Sequence, residues 1–326
     1  MARKAGRHTP IFANRWLQSM KRNAIQSITP KWKDFAGLSM EQKKTSSEKS
    51  PLNHPSIHNL KTLKKMSYTQ SDSEPIIHFV WVYIKFGQVH DEIQSSIRSV
   101  EKFFKGERKI FIVGDRPEPF KPYWTHIPHT QVQNIMYAKA LDSISKLETI
   151  AKEDQINPDF VYMNDDQVFL RQFTLPEISR SIANNHVHTL LDYWNKPGNL
   201  PSKTWREQFR ITLDYLKRNG KGTWNYETHL PRYFNKALIT EVLTTYNITQ
   251  HSMLTQPILF ATLYGNHVRL NPDVSLENDQ TIKLGVYRAR DLALLKKDAI
   301  GKLVMNYNDN GKDHRLDKFI RERLSQ

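Results

Sequence analysis

The chain has 326 residues, of which 38% are hydrophobic and 25% charged, with no cysteine and a formal net charge of +15. That length holds one large domain or two small ones, and the missing cysteines exclude disulfides and thiolate metal sites. No apolar run reaches the roughly 18 residues of a membrane span, and no apolar stretch follows the basic N-terminus as in a secretory signal, so the default compartment is the cytoplasm.

Residues 1–75 carry 14 Lys/Arg against 5 Asp/Glu. The segment is rich in Ser, Lys, Asn and Pro and lacks the apolar density to fold alone, so it reads as a basic tail or linker before a domain at 76–326. Phe12, Trp16, Leu17, Met20 and Ile25 have the spacing of a short basic amphipathic helix over 11–28, suited to an anionic membrane or a nucleic acid. A solvated tail is the plainer alternative, and Met66 leaves room for a later natural start.

Ile76 to Ile84 is a nearly continuous apolar run, the pattern of a strand covered on both faces. Asp91 to Phe104 has helical spacing through Ile93, Ile97, Val100 and Phe104. Lys109 to Val113 is a second buried strand, followed by Gly114, Asp115 and a proline-rich loop. The apolar spacing from Gln131 to Lys152 predicts a long helix. A third strand, Phe160 to Met163, then runs into Asn164, Asp165 and Asp166, and Val168 to Leu170 follows. This order predicts an α/β domain with a mostly parallel sheet flanked by helices. Beyond residue 170 the chain reads as more helical, with helices over 205–218 and 231–246 and a strand over 188–194.

Adjacent aspartates at the end of a buried strand are costly unless partnered. A divalent cation is one natural partner, because hard oxygen ligands suit Mg²⁺ or Mn²⁺ and the ion can in turn hold a diphosphate. Two solvated aspartates in a turn are the alternative. Ligands of open parallel sheets bind beyond the carboxyl ends of the strands, where this pair falls. The P-loop lysine motif and the dinucleotide glycine fingerprint are both missing, which argues against a nucleotide kinase or a dehydrogenase.

Several segments resemble, in the same order, the Stealth family of sugar-phosphate transferases. They are Ile77-His-Phe-Val-Trp-Val82, Asp91-Glu-Ile-Gln-Ser-Ser-Ile-Arg-Ser-Val100 with Lys109-Ile-Phe-Ile-Val-Gly-Asp115, and Phe160-Val-Tyr-Met-Asn-Asp-Asp-Gln-Val-Phe169. Two weaker matches are Thr228-His-Leu-Pro-Arg-Tyr-Phe-Asn-Lys236 and Asn306-Tyr-Asn-Asp-Asn310, the latter followed by a helix at 316–324. Asn278-Asp279 competes for the last position. The family's opening strand usually runs into Val-Asp-Gly, whereas here Val82 leads to Tyr83-Ile-Lys85. His78, Lys85 and Asp91 are partial substitutes for that carboxylate.

The resemblance implies a glycosyltransferase-A-like fold acting on a nucleotide-sugar donor and a glycan acceptor, with Mg²⁺ or Mn²⁺ held by Asp165 and Asp166. It makes His229 the catalytic base and Arg98 a phosphate-neutralising group, and it adds Asn164, Arg232, Lys236 and Asp309 as binding residues. Read on their own, His229 is a helix-start histidine, Arg98 a surface arginine, Arg232 and Lys236 a solvated basic face, and Asp309 part of a polar turn. Trp194, Trp205 and Trp224 are candidates for stacking on sugar rings. A conventional glycosyltransferase releasing UDP is the nearest alternative. A basic nucleic-acid- or membrane-binding protein is the alternative of another class. The mildly basic folded part and the lack of a nucleic-acid motif argue against nucleic acid, and peripheral membrane contact through the tail is compatible with either reading.

Overall fold

The computed structural model describes residues 75–326, apart from 86–91, 133–137, 185, 196–202, 250–251, 253–256 and 269–281. The chain divides into Met1–Ser67 and Tyr68–Gln326, and the described residues belong to the second unit. The proposed tail helix, Asp91 and Asn278-Asp279 lie outside them.

Strands β1 (Ile77–Tyr83), β2 (Arg108–Gly114), β3 (Trp124–Pro128), β4 (Asp159–Asn164) and β6 (Arg232–Asn235) form one sheet in the order β3-β2-β1-β4-β6. The first four are parallel and β6 joins β4 antiparallel. Their side chains alternate between two cores, as the pleat requires. Val80, Phe111, Val113, Phe160 and Tyr162 face one side, under helices α2 (Ala138–Lys152), α5 (Lys203–Arg218), α6 (Lys236–Thr245) and α7 (Phe260–Val268). Phe79, Trp81, Ile110, Ile112, Val161 and Met163 face the other, against Ile93, Ile97, Val100 and Phe103 of α1 (Glu92–Phe103). Each fully buried aliphatic side chain contributes about 1.5–3 kcal/mol. The expected mostly parallel sheet between helical layers is therefore what the chain forms.

A second, three-stranded sheet has the order β5-β8-β7, from β5 (Gln167–Phe169), β7 (Lys283–Val286) and β8 (Val304–Tyr307). Helices α8 (Leu292–Asp298) and α9 (His314–Ser325) close its core with Leu295, Leu316, Phe319 and Ile320. Two shorter helices, α3 (Leu175–Ile178) and α4 (Val187–Trp194), lie between the sheets in sequence.

Three expected elements are corrected. The segment at 188–194 is helix α4, because Val187, Leu190, Leu191 and Trp194 meet Phe209 and Leu259 at helical rather than alternating spacing. Pro231 opens not a helix but strand β6. Arg232 to Asn235 pair with β4, and Asn235 then caps α6 by accepting the Leu238 N–H at 3.1 Å. The long helix is described over Ala138–Lys152, and Gln131 and Val132, where it was expected to begin, are not helical, the Val132 N–H donating instead to Asp142 Oδ1 at 3.2 Å. Strand β3 at the sheet edge had no counterpart in the sequence reading.

Candidate active site

Strands β1 and β4 are neighbours, yet β1 leads onward to β2 and β3 on one side while β4 continues to the other. This is a topological switch point, where the outgoing connections diverge and leave a crevice at the strand ends. Val82 and Asn164 are partners in register there, so Asp165 and Asp166 follow directly on the strand ends at that point.

The turn carrying them is pinned from several directions. Gln167 Oε1 accepts the Asn164 N–H at 3.0 Å and so closes the four-residue turn. The Ser96 hydroxyl accepts from Trp81 Nε1 at 2.8 Å and donates to the Asn164 carbonyl at 3.4 Å. The Ser99 hydroxyl accepts the Phe169 N–H at 2.9 Å and donates to the Ser96 carbonyl at 2.6 Å. The serines of the Ser-Ile-Arg-Ser helix thus fasten β4 and β5 on either side of the aspartates.

The charge balance at the turn is unfavourable for carboxylates. Burial, then the Glu92 charge, pushes Asp165 up to about 6. Burial, then Asp165, then Glu92, pushes Asp166 up to about 7. Tyr307 is driven well above its ordinary value by burial and by Glu92, Asp166 and Asp165. Among the described residues, two nearby cations are already engaged: Lys312 pairs with Glu92 at 2.9 Å, and buried Lys146 with Asp142 at 2.7 Å. Lys146 also reaches the Tyr83 carbonyl at 3.3 Å. This approach depends on Gly114, at φ 123°, where a Cβ would lie 2.1 Å from that carbonyl oxygen. Asp166 Oδ1 is buried without a hydrogen-bond partner.

These features fit a hard divalent cation, which would offset the acid cluster and engage the orphaned oxygen. Among the described residues no three His, Cys, Asp or Glu side chains are grouped as a complete metal site. Such an ion would therefore share its coordination with substrate oxygens and water, as Mg²⁺ commonly does.

Asn164 also lines a cavity of about 600 Å³ together with Tyr162, Trp205, Gln208, Glu227, His229 and Arg232. Arg232 is held by Glu227 at 3.0 Å while its Nε is buried without a partner, and Glu227 in turn accepts the Thr262 N–H at 3.1 Å. His229 sits at φ 54°, a sparsely populated backbone region for a residue with a side chain, of the kind that clusters at functional sites. Asn164, His229 and Arg232 are thus brought together, with the aspartate turn one residue away along the chain.

Other expected residues are placed elsewhere. Arg98 is on the exposed face of α1, turned away from the serine face. Lys236 is at the opposite end of β4, where its ammonium donates to the carbonyls of Glu153 at 2.6 Å and Ile156 at 3.1 Å. That role is structural, and it removes Lys236 from the phosphate-binding set. Asp309 is exposed in the turn after β8. His78 is buried in β1 and accepts the Asn157 N–H at 3.0 Å. Burial holds it down at about 4, so it stays neutral and does not replace the missing carboxylate. Trp224 stacks on His186 at 3.9 Å, whereas Trp205 reaches the cavity.

The sequence reading singled out none of Glu92, Asn306, Tyr307 and Lys312 as site residues, although the first three lie in segments it matched. Asn306 had a signal: an amide inside the apolar strand Val304–Tyr307 must find a buried partner.

No family model matches the chain, and no curated protein matches it. Among solved structures it is similar to the apo structure of WbbM, described as a bifunctional glycosyltransferase, with a TM-score of 0.46 and 9% identity over 77% of this chain. The chain spans about half of that protein's length, 50% of it being covered.

Proposed function

We propose that the protein is a metal-dependent transferase that cleaves a nucleotide sugar and transfers sugar 1-phosphate to a glycan hydroxyl in surface or capsular polysaccharide synthesis. The observation that carries this reading is the orphaned Asp166 oxygen in an acid cluster at the sheet's switch point, beside a cavity lined by Arg232 and His229. Asp165 and Asp166 would hold Mg²⁺ or Mn²⁺, which when bound offsets diphosphate charge and orients the leaving group.

In this reading Arg232 supplies positive charge to the donor phosphates, and Asn164 orients the donor between cavity and turn. His229 takes the proton of the acceptor hydroxyl as that oxygen attacks the phosphorus bearing the sugar. The new P–O bond forms as the bond to the bridging diphosphate oxygen breaks, and UMP departs with that oxygen. Trp205 offers an apolar face to a sugar ring. Attack at the anomeric carbon in the same crevice would instead release UDP, so the departing nucleotide distinguishes the two routes.

The test is nucleotide release from UDP-N-acetylglucosamine and other nucleotide sugars, with Mn²⁺ and glycan acceptors, in the native protein and in Asp165→Ala and Asp166→Ala. UMP that vanishes in both variants is the expected result. UDP release would replace phosphosugar transfer by glycosyl transfer. Turnover that survives in both variants would remove the aspartates from the reaction.

A further inference from the structure

The side chain of Asn306 is an electrostatic partner of the Asp166 carboxylate, favouring its charged form. Asn306 is 1% exposed and lies opposite Gln167, the residue after Asp166, in the antiparallel β5–β8 pair. Its other strand neighbour, in the parallel β7–β8 pair, is Gly285. Opposed residues share a sheet face, and so does the residue two further along a strand. Gln167, Asn306, Gly285 and Tyr287 therefore belong to one face.

A side chain at Gly285 would occupy the space beside Asn306: its Cβ would stand 2.7 Å from Tyr287 Cε2 and 3.1 Å from the hydroxyl oxygen. The bare glycine lets the Tyr287 ring fold back along its strand. The Tyr287 hydroxyl then donates to Asn306 Oδ1 at 3.1 Å. An amide whose oxygen accepts from Tyr287 turns its NH₂ toward the carboxylate. With Asn306 Oδ1 taken by Tyr287, its NH₂ is the group left for Asp166, whose own Oδ1 has no partner. Tyr287 itself is 45% exposed, so its ring is not a core element.

We infer that Tyr287, acting through Asn306 and given room by Gly285, is a positioning residue that aims Asp166 Oδ1 into the crevice. Its role in turnover rests on the transferase reading above, whereas its role in orienting Asp166 does not. Groups that orient a metal-binding carboxylate typically change metal affinity by about 10–100-fold when removed.

The experiment compares native protein with Tyr287→Phe, Gly285→Ala and Asn306→Ala, each checked for an unchanged melting temperature. In metal-free protein, NMR follows the Asn306 side-chain amide and the Asp166 carboxyl carbon. Mn²⁺ affinity is measured by calorimetry. Tyr287→Phe and Gly285→Ala are expected to shift both signals alike and to weaken Mn²⁺ by about 10-fold. The Tyr287→Phe/Asn306→Ala double variant should lose no more than Asn306→Ala, because the two residues act in series. Unmoved signals in Tyr287→Phe overturn the inference, as does unchanged Mn²⁺ affinity in all three variants. If native protein takes no Mn²⁺, the metal-dependent reading fails, while shifted NMR signals still uphold the relay.

Discussion

The two ends of strand β4 make opposite use of charge. At its start, Asp159 accepts from Asn235 at 2.8 Å and Lys236 caps two carbonyls, so each polar group is spent on structure. At its finish, Asp165 and Asp166 are crowded by Glu92, and a buried carboxylate oxygen has no partner. Folded chains satisfy buried polar groups almost everywhere, so the unsatisfied end is where a ligand is expected. A charged residue near a sheet marks a site only when its neighbours leave it incomplete.

The comparison breaks most sharply under substitution. Asp165→Ala and Asp166→Ala should each lower turnover on the order of 10³-fold or more, the scale of losing a charge-stabilising group. Lys236→Met at the other end should leave kcat unchanged and lower stability by about 1–3 kcal/mol, as lost charged hydrogen bonds do. Steady-state kinetics beside thermal melts separates the two, and a folded but inactive Lys236→Met would contradict the contrast. His229→Ala should follow, with kcat down by about 10²–10⁴-fold while nucleotide binding survives. An equal loss of nucleotide affinity would make His229 a binding residue rather than the base.

The smallest effect concerns pH and runs against the usual carboxylate trend. Both aspartates bind protons more tightly folded than unfolded, so metal-free stability falls as pH rises from their ordinary range through about 6 and 7. Asp166→Asn keeps the shape and removes the charge. Its melting temperature should exceed the native one, and by more at about pH 8 than at about pH 5. A variant less stable than native at both values would show that the carboxylate is already satisfied.

Much of the frame was legible because its signals are local. Phe79 to Val82, Ile110 to Val113 and Phe160 to Met163 are apolar runs that only a doubly covered sheet absorbs. The Asp165-Asp166 pair stood out as charge abutting such a run. What failed depended on pairing across the chain. Arg232 to Asn235 became a strand because β4 offers an edge, and Lys236 was drawn to the wrong end of β4 by that turn in the path. Asn306 was passed over for the exposed Asp309, since an amide's buried partner cannot be read from its own strand. The serine pair was noticed only as part of a motif containing Arg98, although Ser96 and Ser99 make the contacts that hold the aspartate turn.

In the proposed mechanism the aspartate turn takes a divalent cation together with a nucleotide diphosphate. Calorimetric titration of UDP into the protein, with and without Mn²⁺, tests it most directly when repeated on Asp166→Asn. UDP binding should require Mn²⁺ and be lost in the variant. UDP binding that is indifferent to Mn²⁺, or unchanged in Asp166→Asn, would contradict it.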